Sequence, residues 1–110
     1  MKILLHESAP QKRRLLVDSP HTVVTTWFKG WSGLKNGALL SAADEEFDLL
    51  ITSDQELCYQ QNLTARRIAV LVLSTNNWAV IKQGMAVIAD AIDAIPAGGF
   101  SFVDIGHGRG

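Results

Sequence analysis

The feature that most constrains the fold is an unbroken apolar run, Ile68 to Leu73, in a chain of 110 residues. A strand with one solvated face alternates apolar and polar residues. A parallel strand with helices on both faces is apolar throughout. The run is therefore typical of a central parallel strand, and it predicts a sheet that is covered on both sides.

Other segments of the chain alternate around this strand. Four further runs rich in apolar or β-branched residues are predicted as strands: 2–5, 21–27, 48–52 and 100–105. Segments predicted as helices are 8–18, 36–46, 54–61 and one from Asn76 or Asn77 to Ile95. This order predicts an α/β fold with three α/β/α layers and a mostly parallel central sheet of about five strands. Residues 1–105 are expected to form a single domain and 106–110 a flexible C-terminal tail.

Composition excludes several classes of function. The formal net charge of −1 argues against a globally basic nucleic-acid binder, and a single cysteine, Cys58, excludes a disulfide framework or a cysteine zinc site. Neither a dinucleotide-binding glycine motif nor a P-loop is present. No apolar run approaches the ~20 residues that span a bilayer. The opening MKILLH is too short for a signal peptide, so a cytoplasmic protein without membrane attachment is expected.

Charge is unevenly distributed along the chain. Most of the charged residues among the first 35 are basic, whereas residues 36–65 carry six acids and no base. Five basic residues are candidates for phosphate contacts: Lys12, Arg13, Arg14, Arg66 and Arg67. The alternative is that they are solvated or paired with acids of the same chain, as most surface arginines are.

Polar residues follow the predicted strands, and in parallel sheets ligands bind at the carboxyl ends of strands. His6 and Glu7 follow the first strand, and Ser53 and Asp54 follow the third. Because these ends meet at one edge of the sheet, we expect His6, Glu7 and Asp54 to lie close together.

Three aromatic residues, Trp27, Phe28 and Trp31, lie around the loop after the second strand. They could stack on RNA bases, anchor a protein interface or close the core beneath the loop. Core or interface is the favoured interpretation.

Four segments resemble a known family. They are KILLHESAP at the start, GWSGLKNGALL (Gly30 to Leu40), LLITSDQELCYQQNL (Leu49 to Leu63) and STNNW (Ser74 to Trp78). The chain resembles small bacterial PIN-like proteins of unknown function, which are often encoded in toxin–antitoxin-style operons. The resemblance implies a PIN-like fold. Active PIN domains are Mg²⁺- or Mn²⁺-dependent ribonucleases with a cluster of acids at the strand ends.

The resemblance also identifies the site residues. The family usually has an aspartate, its central metal ligand, where this chain has His6, and an acid where it has Ala38. The third acid is present as Asp54. Phosphodiester hydrolysis by this route needs divalent ions to activate water, and magnesium prefers carboxylate ligands. We therefore expect a degenerate site built from Asp54, Glu7 and His6, with little or no ribonuclease activity.

Roles for two of these residues stay open. His6 could ligate a softer ion such as manganese, act as a general base, or hydrogen-bond locally. Glu7 could bind a metal ion or cap the following helix.

Alternative functions are an active Mg²⁺- or Mn²⁺-dependent endoribonuclease toxin and a non-catalytic protein-binding module. A receiver- or flavodoxin-like regulator is less favoured, because the first strand ends in no acidic pair. Expected partners are a second copy of the chain, an antitoxin protein and RNA.

Overall fold

A computed structural model of the chain describes residues 2–6, 22–31, 33–34, 36–53 and 67–105. Its strands are β1 (Lys2–Leu5), β2 (Thr22–Thr25), β3 (Leu49–Thr52), β4 (Ala69–Leu73) and β5 (Phe100–Val103). The helices are α1 (Thr26–Lys29), α2 (Asn36–Asp44), α3 (Trp78–Gln83) and α4 (Met85–Ala94). The five strands form one all-parallel sheet in the order β2-β1-β3-β4-β5. The predicted parallel α/β fold is therefore confirmed.

Alternating side chains of the sheet build two separate cores, one on each face. On one face, residues such as Leu5, Ile51 and Leu71 pack against α3 and α4, which contribute Ile81, Ile88 and Ile92. On the other face, strand and helix residues form a second cluster: Leu4, Leu50, Val70 and Val72 with Leu39, Leu40, Ala43 and Phe47. Helices on both faces of the sheet give the predicted three layers. Every residue of β4 is buried, as its apolar run predicts.

The two crossovers within the described residues have opposite hands. The connection from β2 to β3 and that from β4 to β5 both advance in the same direction across the sheet. Their helices nevertheless lie on opposite faces, α2 on one and α3 with α4 on the other. Because direction and face together define the hand, one of the two is left-handed, whereas about 98% of such connections are right-handed.

The second strand is shorter than predicted. A strand over 21–27 was expected from its β-branched residues, but β2 ends at Thr25 and α1 begins at Thr26. The hydroxyl of Thr25 accepts a hydrogen bond from the backbone N–H of Phe28 at 3.0 Å. This bond caps a helical turn, and it outweighs the β propensity of the threonine run.

The last helix is divided at Gly84. Asn77 caps its start, because Oδ1 accepts hydrogen bonds from the N–H groups of Ala79 and Val80. A Cβ atom at position 84 would lie 2.9 Å from Cγ2 of Ile105, so the glycine allows a close approach between this turn and the chain after β5. The predicted helices at 8–18 and 54–61, and the predicted tail at 106–110, lie outside the described residues. None of the described helices has the length and hydropathy needed to cross a membrane.

Candidate functional site

Strand order determines where this sheet is best suited to bind a ligand. β1 lies between β2 and β3, so the chain leaves β1 toward one edge of the sheet and leaves β3 toward the other. In open α/β sheets, ligands bind outside the carboxyl ends of two neighbouring strands from which the chain leaves in opposite directions, which is called the switch point. The order found here is the flavodoxin-like one, in which this switch point falls between β1 and β3.

His6 and Thr52 bridge the switch point. The backbone N–H of His6 donates to the carbonyl oxygen of Ile51 at 2.8 Å, which continues the β1–β3 pairing by one residue. Nδ1 of His6 lies 3.1 Å from Oγ1 of Thr52, and the imidazole tautomer decides which atom donates. Only 8% of His6 and none of Thr52 is exposed. The two central strands are thus joined at their carboxyl ends by a buried polar contact.

Thr26 is a third buried polar residue at this edge. It follows Thr25, whose register partner in β1 is Leu5, so Thr26 is one position beyond the strand end, as His6 is. Thr26 is completely buried, and among the described residues its hydroxyl is a buried polar atom with no hydrogen-bond partner. Such a hydroxyl costs about 1–3 kcal/mol of stability. The carboxyl edge therefore retains a polar group at the expense of stability.

His6 and Thr52 point to the face that α2 covers. Alternation along β3 groups Thr52 with Leu50, and the contact between the two side chains places His6 on the same side, together with Leu4. The candidate site therefore belongs to the layer between the sheet and α2.

Position 38 lies in helix α2, which covers the same face of the sheet. Its last residue, Asp44, accepts hydrogen bonds from the backbone N–H groups of Arg67 and Ile68, immediately before β4. The helix therefore ends at the amino edge of the sheet. Ala38 lies in its first turn and is exposed. Position 38 thus lies in the helix that covers the face of the sheet to which His6 points.

Most of the other predicted site residues lie outside the described residues: Glu7, Lys12, Arg13, Arg14, Asp54 and Arg66. The predicted meeting of His6, Glu7 and Asp54 stays a prediction. Chain connectivity attaches Glu7 directly to His6 and brings Asp54 two residues after Thr52.

Arg67 is described, and it lies at the opposite edge of the sheet from His6. Its guanidinium donates to the backbone carbonyl of Asp44 at 2.7 Å, and its backbone N–H donates to Oδ1 of the same residue at 2.7 Å. The Arg67 guanidinium is thus bound to a backbone carbonyl of the same chain, and its contact with phosphate stays a prediction.

The aromatic residues after β2 have different environments. Trp31 is half-buried and meets Phe47 edge to face at a centroid distance of 6.0 Å, while Lys29 Nζ lies 4.9 Å from the centre of its ring. Phe28 is 77% exposed. Trp31 therefore closes the core, as the favoured interpretation predicts. The side chain of Trp27 lies outside the description.

The described residues among the candidate site positions, His6 and Ala38, do not fit a magnesium site. Positions 6 and 38 contribute an imidazole and a methyl group, whereas magnesium prefers carboxylate oxygens. In the described part of the chain, no three histidine, cysteine, aspartate or glutamate side chains are grouped so that they could hold a metal ion.

Comparison with known proteins returned no matching family model, no matching curated protein and no matching solved structure.

Sequence reasoning did not identify two buried polar residues at the carboxyl edge of the sheet, Thr26 and Thr52. For Thr52 the available signal is a polar residue that ends an otherwise apolar strand, LLIT. For Thr26 no signal was available, because the β-branched run predicted a strand residue.

Proposed function

We propose that the chain is a PIN-like domain, a relative of toxin-type ribonucleases, in which the acidic metal site is degenerate. The observation that carries the proposal is at position 6. Where the family that the chain resembles has its central carboxylate, this chain has an imidazole in a buried hydrogen bond with Thr52. That environment favours a histidine that joins two strands over a group that holds a hydrated cation.

Position 38 supports the same proposal. Ala38 is exposed in the first turn of α2, the helix that packs on the face of the sheet to which His6 points. An alanine side chain offers no metal ligand. The loss of one carboxylate at ~4 Å removes roughly 4 kcal/mol of bare Coulomb attraction per unit charge at an effective dielectric near 20, most of which hydration offsets. With two carboxylates absent, magnesium should bind weakly and RNA should be cleaved little or not at all.

The role left to such a domain is binding. A degenerate PIN-like domain keeps its fold and its surface for a protein partner, and an antitoxin-type protein is the partner that the resemblance implies. The function proposed is thus that of a non-catalytic relative which acts through a protein complex.

Metal titration tests the proposal. We expect Mg²⁺ and Mn²⁺ to leave the melting temperature of the unmodified chain unchanged. The double variant His6→Asp/Ala38→Glu should bind the ions and melt at a higher temperature when they are present. The matched control is His6→Asn/Ala38→Gln, which has nearly the same shape without the charges and should not respond.

Two outcomes would contradict the proposal. If the charged double variant binds metal no better than the neutral control, the family alignment is wrong at these positions. If the unmodified chain cleaves RNA with Mg²⁺ or Mn²⁺, and Asp54→Asn abolishes the cleavage, the site is active and the endoribonuclease alternative replaces the degenerate one.

A further inference from the structure

Among the described residues, the outer edge of β5 presents an unpaired row of backbone groups. The carbonyl oxygens of Gly99 and Val103 accept hydrogen bonds from the N–H groups of Val70 and Ser74. Alternate residues of a strand bond to opposite sides, so Phe100 and Phe102 direct their N–H and C=O groups away from β4. In the sheet formed by the described residues, β5 is the last strand.

The same two residues expose large apolar side chains. Phe100 is 41% exposed and Phe102 is 43% exposed. They are two residues apart, so their rings lie on one face of the strand. Edge strands of soluble proteins are usually protected by charged residues, proline or a bulge. Residues 100–103, FSFV, contain neither a charged residue nor a proline.

The edge is complementary to itself. The residues Phe100, Ser101 and Phe102 read the same in both chain directions. If a second copy of β5 is laid antiparallel with Ser101 opposite Ser101, each Phe100 faces a Phe102 of the other copy. The outward N–H and C=O groups of these residues then form hydrogen-bonded pairs across the two-fold axis.

We propose that β5 pairs antiparallel with β5 of a second copy of this chain, on a two-fold axis that passes between the two Ser101 residues. The contact joins two five-stranded sheets into one continuous sheet and brings four phenyl rings together on one face. Cross-strand aromatic pairs stabilise such ladders, and a two-fold contact requires the self-complementary surface that this strand provides. The proposal does not depend on the proposed function.

A ladder of four residues is small beside the ~1,600 Å² that a standard protein interface buries. Association should therefore be reversible and should grow with protein concentration. Sedimentation velocity on the full chain, carried to millimolar concentration, should show the mass rising from 12.0 kDa toward that of a dimer.

Variants of the two phenylalanines test the surface. Phe100→Lys/Phe102→Lys places lysine opposite lysine across the axis and should remove the dimer at every concentration. The matched control is Phe28→Lys, which removes a phenyl ring that is 77% exposed but lies outside β5, and it should leave the dimer unchanged.

A charge pair tests the register. Phe100→Lys and Phe102→Glu should each self-associate more weakly than the unmodified chain. An equimolar mixture of the two should associate more strongly than either alone, because the proposed pairing brings the introduced lysine of one variant opposite the introduced glutamate of the other. If circular dichroism shows that the double lysine variant does not fold, the experiment with the mixed charged variants still tests the proposed pairing of β5 strands.

Three results would overturn the proposal. One is an unmodified chain that stays monomeric at millimolar concentration. Another is a loss of the dimer in Phe28→Lys that equals the loss in the β5 variants. The third is a mixture of the two charged variants that associates no better than its components.

Discussion

The two ends of the sheet hold their polar groups in opposite ways. At the amino edge, the polar groups are largely exposed and are matched with partners. Oδ2 of Asp48 accepts the backbone N–H of Lys2 at 2.8 Å, and Oδ1 of Asp44 accepts two backbone N–H groups before β4. At the carboxyl edge, the polar groups of His6, Thr26 and Thr52 are buried instead.

This difference separates residues that stabilise the fold from residues that are candidates for function. The acids of the amino edge satisfy backbone groups at the starts of strands, which stabilises the sheet. The carboxyl edge pairs His6 with Thr52 but, among the described residues, it also buries the Thr26 hydroxyl without a hydrogen-bond partner. Proteins tend to violate packing and pairing rules at functional sites and compensate elsewhere. The comparison therefore makes the carboxyl edge the stronger candidate for a functional site.

The largest effect is expected from Asp44→Ala at the amino edge. The substitution removes one carboxylate oxygen that accepts from both Arg67 and Ile68, at 2.7 and 2.8 Å. Hydrogen bonds to a charged group are worth about 1.5–3 kcal/mol, so urea unfolding should show a loss of about 2 kcal/mol. Asp44→Asn keeps an oxygen acceptor and should lose clearly less. If Asp44→Ala is as stable as the unmodified chain, the amino edge is not the stabilising end.

Two threonine substitutions at the carboxyl edge should have effects of opposite sign. Thr52→Val removes the hydroxyl that contacts Nδ1 of His6 and should destabilise the fold by about 1–2 kcal/mol. Thr26→Val removes a buried hydroxyl that has no hydrogen-bond partner among the described residues, and it should be neutral or stabilising by up to about 1 kcal/mol. Chemical unfolding of both variants under identical conditions measures the difference. A similar loss in both would mean that the Thr26 hydroxyl is satisfied, and the contrast between the two edges would weaken.

Much of the fold could be predicted because buried positions show as apolar runs or as apolar residues at helical spacing in the sequence. The apolar run at Ile68 to Leu73 specifies a strand that is covered on both faces, and β4 is such a strand. The inward residues of α2, among them Leu39 and Ala43, follow from helical spacing in the same way. These features depend on local sequence and on nothing remote.

Two features of the fold were not predictable, one because it involves a distant contact and the other because a local hydrogen bond opposes the local propensity. The division of the last helix at Gly84 involves a close approach to Ile105, 21 residues further on, which no local pattern records. The short helix after β2 depends on one hydrogen bond from the Phe28 N–H to the Thr25 hydroxyl. Threonine runs favour strands, so the local preference pointed the other way.

The site could be predicted only in part. His6 was identified because the residue after a central parallel strand lies at the ligand-binding edge. Its contact with Thr52 was not, since a threonine at a strand end shows its role only when the neighbouring strand and register are known. Register therefore supplies the information that the sequence of either strand lacks.

The smallest effect is expected at Glu46, on the exposed side of the amino edge. Lys29 lies 2.8 and 2.9 Å from its carboxylate oxygens and Lys2 lies 3.3 Å away. The hydrogen bond from Lys29 is the main cause that lowers the pKa of Glu46 below its ordinary 4.5; partial desolvation opposes the shift, and Lys2 lowers the pKa further. Exposed ion pairs contribute little to stability, which is why this effect is ranked last.

The sign of its pH dependence follows from the lowered pKa. The folded protein holds the Glu46 proton less tightly than the unfolded chain does, so the carboxylate stabilises the fold above pH 4.5 and this contribution is lost as the pH falls through the lower folded-state pKa. Glu46→Gln should therefore melt below the unmodified chain at neutral pH and low salt, and the gap should close on acidification or with added salt. Glu45→Gln, at the exposed neighbour, is the control and should show no such gap. A gap for Glu46→Gln that persists at low pH would mean that packing of the side chain, and not its charge, stabilises the amino edge.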